Sequence, residues 1–423
     1  MARKPLVVIV GGGYGGVRIA LDLAKRNTAR VILVEKNRHH MFHAYFYELA
    51  TFFCAERQGE PQEENKKFYD QLLRIVTVPY DEIFAKFSNV KVEYGTVQKV
   101  ISSESKVVMS DGRALYYEWL VIATGSKTDY FGIPHLEDNA IGLKSVEDAL
   151  NIRNRVDELS ALASKNKMIT VVIGGGGATG VELAAELVGY MKKLSLIHGH
   201  PVAHWRCIIV ESRESVLAKF SLRAQHIASR RLRALGVTVM PDSHIVDVWP
   251  NLLYIGKEKR TLPFDLLVWT AGVEGACDGE IMYDVHLAKN SCLAVDERLR
   301  VVPHKNIFTV GDVAASCDPK TGVCLPMTVE KALSEGSYVS RAIHLLARDP
   351  NARIAPYRPK ASRYILPLGG KYALLEGKHV VFAGVTIWFL KYFILFRYLV
   401  SITSLRKAFG RTARQFMIYI QND

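Results

Sequence analysis

Six cysteines (Cys54, Cys207, Cys277, Cys292, Cys317 and Cys324) are scattered through the 423 residues without a single C-x-x-C spacing. That leaves no sequence sign of a zinc ribbon or a short dithiol redox loop, and a reducing compartment is the plainer setting. An apolar leader is also missing: Met1-Ala2-Arg3-Lys4 runs straight into Leu6-Val7-Val8-Ile9-Val10, so export is not expected. Composition, at 49% hydrophobic and 23% charged, excludes disorder, collagen and coiled-coil arrays. The length suits two to four domains. Acidic residues are scarce where basic ones gather. Over the whole chain 55 Lys and Arg face 42 Asp and Glu, but beyond residue 350 only Glu376 and Asp423 oppose twelve basic residues. Such a tail suits an anionic partner, either nucleic acid or a membrane surface.

What the sequence has is an internal repeat 164 residues apart. Strand-like Leu6-Val7-Val8-Ile9-Val10 leads into Gly11-Gly12-Gly13-Tyr14-Gly15-Gly16 and a helix-like run; strand-like Val171-Val172-Ile173 leads into Gly174-Gly175-Gly176-Gly177-Ala178-Thr179-Gly180 and another. Each holds G-x-G-x-x-G, at Gly11, Gly13 and Gly16 and at Gly175, Gly177 and Gly180. In that context the glycines serve a tight turn, close approach to a pyrophosphate, and strand-to-helix packing. The phosphates then sit at the positive end of the helix. One copy is weak evidence, since glycine turns also serve packing alone. Here both copies are followed by an acid closing the next strand: Glu35, 19 residues beyond Gly16, and Glu211, 31 beyond Gly180. The longer interval implies an insertion, expected around residues 198–204. A carboxylate there accepts from ribose hydroxyls and repels a 2′-phosphate, favouring NADH over NADPH, although Arg213 softens the choice. Two such sites imply electron transfer from a nicotinamide to a flavin.

The ordered signposts then become specific. Residues 37–50 contain His40-Met41-Phe42 and Glu48-Leu49-Ala50; later come Ala123-Thr124-Gly125, Gly142-Leu143-Lys144-Ser145, Thr179-Gly180-Val181-Glu182, Thr270-Ala271-Gly272 and Val310-Gly311-Asp312. Together they resemble the type II NADH dehydrogenases, single-chain NADH:quinone oxidoreductases among the flavoproteins with two dinucleotide-binding domains. The resemblance implies an α/β fold of two Rossmann-like domains followed by C-terminal amphipathic membrane-anchoring helices. FAD binding is expected in residues 1–140 and 286–357, NADH binding in 141–285, and membrane association in 358–423. For FAD it points to Gly11, Gly13, Tyr14, Gly15, Gly16 and Glu35, to Val97, to Ala123, Thr124 and Gly125, and to Gly311, Asp312 and Val329. For NADH it points to Gly175, Gly177, Thr179, Gly180, Glu182, Glu211, Ala271 and Gly272. Glu182 is expected near the reacting rings, as an orienting group or proton relay, and a carboxylate favoured by the helix dipole is the bland alternative.

On the acceptor side the family's two glutamines, four apart, are replaced by Glu330 and Ser334. With Thr328 these are the expected quinone contacts, Glu330 being a candidate proton donor; a Glu in the first turn of a helix starting near Thr328 is the alternative. His198, His200 and His204 are separated by Gly199 and Pro201 and read as a solvated loop, so no metal is expected. His39, His40 and His43 read as a loop flanking the flavin. In residues 380–403 only Lys391 and Arg397 are charged. That run is long enough to span a bilayer, but its two cations favour a helix lying in the interface. Further on, Leu405, Phe409, Phe416 and Ile420 share one helical face, with Lys407, Arg411 and Arg414 opposite. The expectation is a peripheral, non-pumping membrane flavoenzyme of the respiratory electron-transport chain. It sits on the cytoplasmic face of a cell membrane, or the matrix side in a mitochondrion, with residues 380–423 on anionic lipid. A core helix with a solvated basic face, which would also explain a homodimer contact, is the alternative, and no nucleic acid is expected. The alternatives are a sulfide:quinone reductase using Cys277, Cys317 or Cys324, and an NADH-sensing flavoprotein similar to apoptosis-inducing factors.

Overall fold

The computed structural model describes residues 3–53, 73–74, 76–162, 168–199, 201, 204–277, 285–360 and 363–422, with side chains to 417. Cys54, His200 and the side chain of Ile420 lie outside the described residues. The elements that matter are, in chain order, β1 (Leu6–Val10), α1 (Tyr14–Arg26), β2 (Arg30–Glu35), β3 (Val90–Tyr94), β4 (Trp119–Ile122), β5 (Ile169–Gly174), α2 (Ala178–His198), β6 (Trp205–Val210), β7 (Thr238–Met240), β8 (Leu266–Trp269), β9 (Ile307–Thr309), α3 (Val329–Arg348), β10 (Tyr364–Pro367), β11 (Ala373–Glu376), β12 (Val381–Gly384), α4 (Val385–Ile402) and α5 (Leu405–Asn422).

The chain divides into two units. The first comprises Met1–Met41, Thr77–Lys127 and Val273–Ser362, and the second Phe42–Val76, Thr128–Gly272 and Arg363–Asp423. In this division the described residues of 42–76 and 128–140 fall with the second glycine motif, those of 273–285 with the first, and those of the tail with the second unit.

In the first unit a five-stranded sheet runs β9-β4-β1-β2-β3, with every pair parallel. Its central strand is fully apolar because both faces of a parallel sheet are covered: Val8 and Val10 share a core cluster with Val97, Val100, Val107 and Met109, and Val7, Val8 and Ile9 have no exposed surface. Helix α1 buries Val17, Ile19, Ala20, Leu21 and Leu23 and closes on Asn27 in the left-handed conformation, with Lys25 and Arg26 in the last turn where the dipole favours cations. Val97, expected beside the flavin, lies in the core cluster with Val10, Val34 and Ile122.

In the second unit a parallel sheet runs β7-β6-β5-β8. The longer interval before Glu211 is chiefly helix: α2 has 21 residues against 13 in α1. The expected insertion near residues 198–204 is therefore only partly there. Helix α2 runs through His198 and ends on Gly199 at φ 65°. The strands β10-β11-β12 form an antiparallel meander ahead of α4 and α5. Trp388, Tyr392 and Phe416 pack together, with ring centroids 4.9 to 5.7 Å apart, and tie the two helices to each other.

Candidate nucleotide and acceptor sites

The two glycine motifs fold almost identically. Gly11 and Gly175 sit at φ +104° and +109°, which only glycine adopts cheaply. Gly11 N–H donates to Val34 O at 2.9 Å and Gly175 N–H to Val210 O at 2.8 Å. A Cβ on Gly16 would lie 1.9 Å from Gly11 O, and one on Gly180 2.0 Å from Gly175 O. These four glycines are required by the protein itself.

Gly13 and Gly177 are different. Each caps its helix in an extended conformation, at φ −69° and −70°, and an added Cβ on either would meet nothing within 4 Å. Neither backbone strain nor protein packing explains glycine at these two positions. The clear space lies at a helix N-terminus, where N–H groups and the dipole favour a pyrophosphate. In the first unit Thr124 adds a second sign: its hydroxyl, just past β4, is buried without a hydrogen-bond partner, an unusual state for a buried polar atom unless a ligand completes it. The residues thus fit two dinucleotides.

The acids repeat as closely. Glu35 Oε2 accepts Gly12 N–H at 2.6 Å and Glu211 Oε2 accepts Gly176 N–H at 2.6 Å, while their Oε1 atoms accept from Asn37 N–H at 3.0 Å and Arg213 N–H at 2.9 Å. Tyr14 packs edge-on to His40, with centroids 5.1 Å apart. His39 and His40 lie on a short strand paired with Thr77–Pro79 rather than in a loop, and His43 is exposed in a 3-10 turn. The sequence did not reveal that Gly12 O is held from two sides, accepting from Tyr80 Oη at 2.8 Å and lying 2.9 Å from His40 Nδ1.

Gly311, at φ +77°, follows β9. Asp312 accepts from Ser126 Oγ at 2.8 Å. Two unanticipated residues set this turn: buried Lys331 donates to Gly311 O at 2.6 Å and Ala314 O at 3.0 Å, and buried Glu335 accepts Gly311 N–H at 2.7 Å and Ser316 Oγ at 2.5 Å. Burial pushes the Glu335 carboxyl up, and Lys331 opposes the shift. A Lys and Glu four apart on the buried side of a helix were the available clue. Thr328 caps α3, accepting Lys331 N–H at 3.1 Å. Val329 and Glu330 form its first turn, with Glu330 exposed. The Ser334 hydroxyl receives a 3.1 Å hydrogen bond from Tyr357.

In the second unit Thr179 and Ala271 are exposed and Gly272 is buried, so close to Asp129 O that a Cβ would come within 2.1 Å. Glu182 interacts electrostatically with a polar cluster within the same unit. Lys391 Nζ, from α4, is bonded to Glu48 and lies 2.8 Å from Tyr47 Oη; Gln415 Nε2, from α5, donates to the other Glu48 oxygen at 2.9 Å. Lys391 was expected to burden a lipid-facing helix. It points inward instead, because a buried ammonium is tolerated only with a paired carboxylate and further hydrogen bonds. Burial drives the Glu182 carboxyl well above the ordinary carboxylate range, with Lys391 opposing and Glu48 and Glu186 adding to the rise.

Well below the ordinary glutamate pKa of about 4.3, folded and unfolded chains are both protonated at Glu182. As pH rises the unfolded chain releases its proton first, so Glu182 costs the folded state progressively more until its own elevated pKa is passed. Glu182→Gln is therefore expected to raise Tm relative to the parent by an increment that is smallest near pH 5 and grows toward pH 8. A Tm difference independent of pH would show that the carboxyl titrates normally.

A family model for pyridine nucleotide-disulphide oxidoreductases matches residues 5–336. The chain is 28% identical over 365 residues to the type II NADH:quinone oxidoreductase Ndh of Mycobacterium tuberculosis, covering 81% of this chain and 72% of that one. It is 26% identical over 422 residues to the type II NADH:quinone oxidoreductase of Haemophilus influenzae, covering 90% and 92%. Among solved structures, NDH2 from Plasmodium falciparum in complex with NADH superposes with a TM-score of 0.83 at 19% identity, covering 99% and 98%. The sulfide:quinone oxidoreductase of Aquifex aeolicus superposes at 0.75 and 19%, covering 94% and 91%. At these identities the solved structures speak to fold alone.

Proposed function

The chain belongs to the pyridine nucleotide-disulphide oxidoreductase family, and from that premise we propose that it is a membrane-associated type II NADH:quinone oxidoreductase. It passes a hydride from NADH to FAD and two electrons onward to a quinone, without pumping protons. The observation that carries the reading is the pair of matched glycine cradles in one chain, each with a glycine, Gly13 or Gly177, whose open side the protein does not use. The curated relatives named above are NADH:quinone oxidoreductases, which sets the sulfide-oxidising and sensor readings aside.

FAD belongs to the first unit and NADH to the second, making these the two Rossmann-like domains. Bound FAD supplies the two-electron chemistry that no side chain offers. Gly11, Gly13, Tyr14, Gly15 and Gly16 form the flavin's pyrophosphate turn, and Glu35 its ribose acceptor. Ala123, Thr124 and Gly125 offer a partnerless hydroxyl in a small-residue crossover, while Gly311, Asp312 and Val329 border the second crossing; Val97 supports the sheet beneath. Gly175, Gly177, Thr179 and Gly180 cradle the NADH pyrophosphate, Glu211 takes the ribose, and Ala271 and Gly272 let the chain pass close. Glu182, its carboxyl pushed well above the ordinary carboxylate range by burial, orients the reduced nicotinamide or relays a proton. Thr328, Glu330 and Ser334 face the quinone, and exposed Glu330 is its proton donor.

Docking falls to residues 380–423. Val385, Phe389, Phe393, Phe396 and Val400 fall within an 80° arc of α4 at 100° per residue. Four of them are exposed, as are Leu405, Phe409 and Met417 on α5. With Lys407, Arg411 and Arg414 nearby in sequence, this suits an interfacial anchor on anionic lipid. A lipid-soluble acceptor is then within reach from the cytoplasmic or matrix face. Helix α4 is also long and apolar enough to cross a membrane, but an aromatic stripe on one side with a buried inner side suits lying flat. A homodimer through the same stripe is the second use.

The decisive experiment is steady-state NADH oxidation by the purified yellow protein with a short-chain quinone. Saturable turnover supports the assignment, whereas turnover with dyes alone, or a protein that binds no flavin, rules it out. Glu211→Ala is expected to raise the NADH Michaelis constant about tenfold, the loss of roughly 1.4 kcal/mol, and to narrow the gap to NADPH. An unchanged coenzyme preference would remove Glu211 from the ribose.

A further inference from the structure

The hairpin after Gly311-Asp312-Val313 carries a cysteine on each arm. Leu325 N–H donates to Ser316 O at 2.9 Å and Asp318 N–H donates to Val323 O at 2.9 Å. These bonds bracket Cys317 and Cys324 as a directly opposed antiparallel pair that exchanges no hydrogen bonds of its own. At such sites Cα atoms come to about 4.5 Å and both side chains leave on one face, inside the window of roughly 4.4–6.8 Å that a disulfide needs. The tip is firmly built: Asp318 O accepts from Thr321 and Gly322, and Gly322 sits at φ +68°. Both sulfurs are free thiols, 2.6 Å apart. Cys324 is exposed, while Cys207, Cys277 and Cys292 are buried. The separation C-x6-C gives no hint of this pairing in the sequence; the turn creates it.

We propose that Cys317 and Cys324 form a reversible intramolecular disulfide, made and broken by exchange with low-molecular-weight disulfides and thiols. The exposed Cys324 thiolate attacks one sulfur of the small disulfide, whose S–S bond breaks and releases one half as a thiolate. Cys317 then gives up its proton and attacks the Cys324 sulfur, expelling the second half. The protein loses two electrons, the small disulfide gains them, and the two protons end on the released thiols. Burial and the neighbouring Cys324 push the Cys317 thiol up to about 11, so Cys317 is protonated at neutral pH and takes the second, intramolecular step rather than the first. The new bond closes an eight-residue hairpin that ends just before Thr328, and so fixes how the chain enters α3.

The test uses the flavin-loaded protein equilibrated in glutathione buffers of rising oxidised fraction, quenched with N-ethylmaleimide and cut after lysine. Lys320 lies inside the hairpin, so cleavage separates a peptide 306–320 holding Cys317 from a peptide 321–331 holding Cys324. The expected product is these two peptides joined, two mass units below the sum of their thiol forms, growing with oxidised fraction and parted by dithiothreitol. Cys317→Ser is expected to stall at a Cys324–glutathione adduct. Separate adducts on both cysteines, maleimide on both at every ratio, or no adduct in Cys317→Ser would each overturn the proposal.

Discussion

Lys391→Met is expected to destabilise the second unit by about 3–5 kcal/mol, the usual cost of removing one partner from a buried ion pair. For a unit of this size that corresponds to a fall of roughly 10 °C in Tm. The reasoning rests on what stays behind. Glu48, almost fully buried, would keep only neutral donors, Tyr47 Oη at 2.9 Å and Gln415 Nε2 at 2.9 Å. Two hydrogen bonds do not replace a cation beside a desolvated carboxylate. The double variant Lys391→Met with Glu48→Gln should recover most of the loss, because replacing both members of a buried pair with uncharged groups is often close to neutral. Differential scanning calorimetry of the parent, both single variants and the double variant gives the coupling. Additive losses would show that the pair does not act as a unit.

Gly175→Ala should abolish measurable NADH binding and lower Tm, whereas Gly177→Ala should raise the NADH Michaelis constant at least tenfold while leaving Tm within about 3 °C. At Gly175 an alanine must hold φ +109° and bring its Cβ to 2.6 Å from Ala271 Cα. The backbone strain alone costs about 1–3 kcal/mol, and the turn cannot relax without moving the β8 crossover. At Gly177 nothing in the protein meets the methyl group, so only loss of a modest helix-capping preference is expected in the fold. Any large effect there must come from a ligand in that space, at about 1.4 kcal/mol per tenfold. Fluorescence titration with NADH and a thermal scan on each variant separate the two effects. If Gly177→Ala bound NADH as the parent does, the cradle would not be a pyrophosphate site.

Backbone demands were the legible part of this sequence. Gly11, Gly16, Gly175 and Gly180 are dictated by contacts within a few residues or with the adjacent strand, so the motif alone carried its geometry, and the closing acids followed from strand length. The cap at Thr328 was equally local. What could not be read depends on distance along the chain. Lys391 and Glu48 are 343 residues apart, and an isolated lysine in an apolar run reads as a burden until its partner is seen. Lys331 and Glu335 carried a faint sign in their spacing, but the carbonyls they hold lie in another segment. Helix α4 looked only weakly two-sided because both arcs are apolar: Trp388, Tyr392, Leu395 and Leu399 face inward, Phe389 and Phe393 outward. Hydropathy cannot separate those two faces.

Glu35 and Glu211 each hold a glycine-loop amide, and on the proposed assignment each also faces a ribose. Coenzyme choice and the set of the phosphate turn are therefore one inherited trait in each half. A lineage drifting toward phosphorylated coenzymes could not simply discard Glu211. It would first need another acceptor for the amide of Gly176, so any route to that change runs through at least two substitutions, with a slack turn as the intermediate.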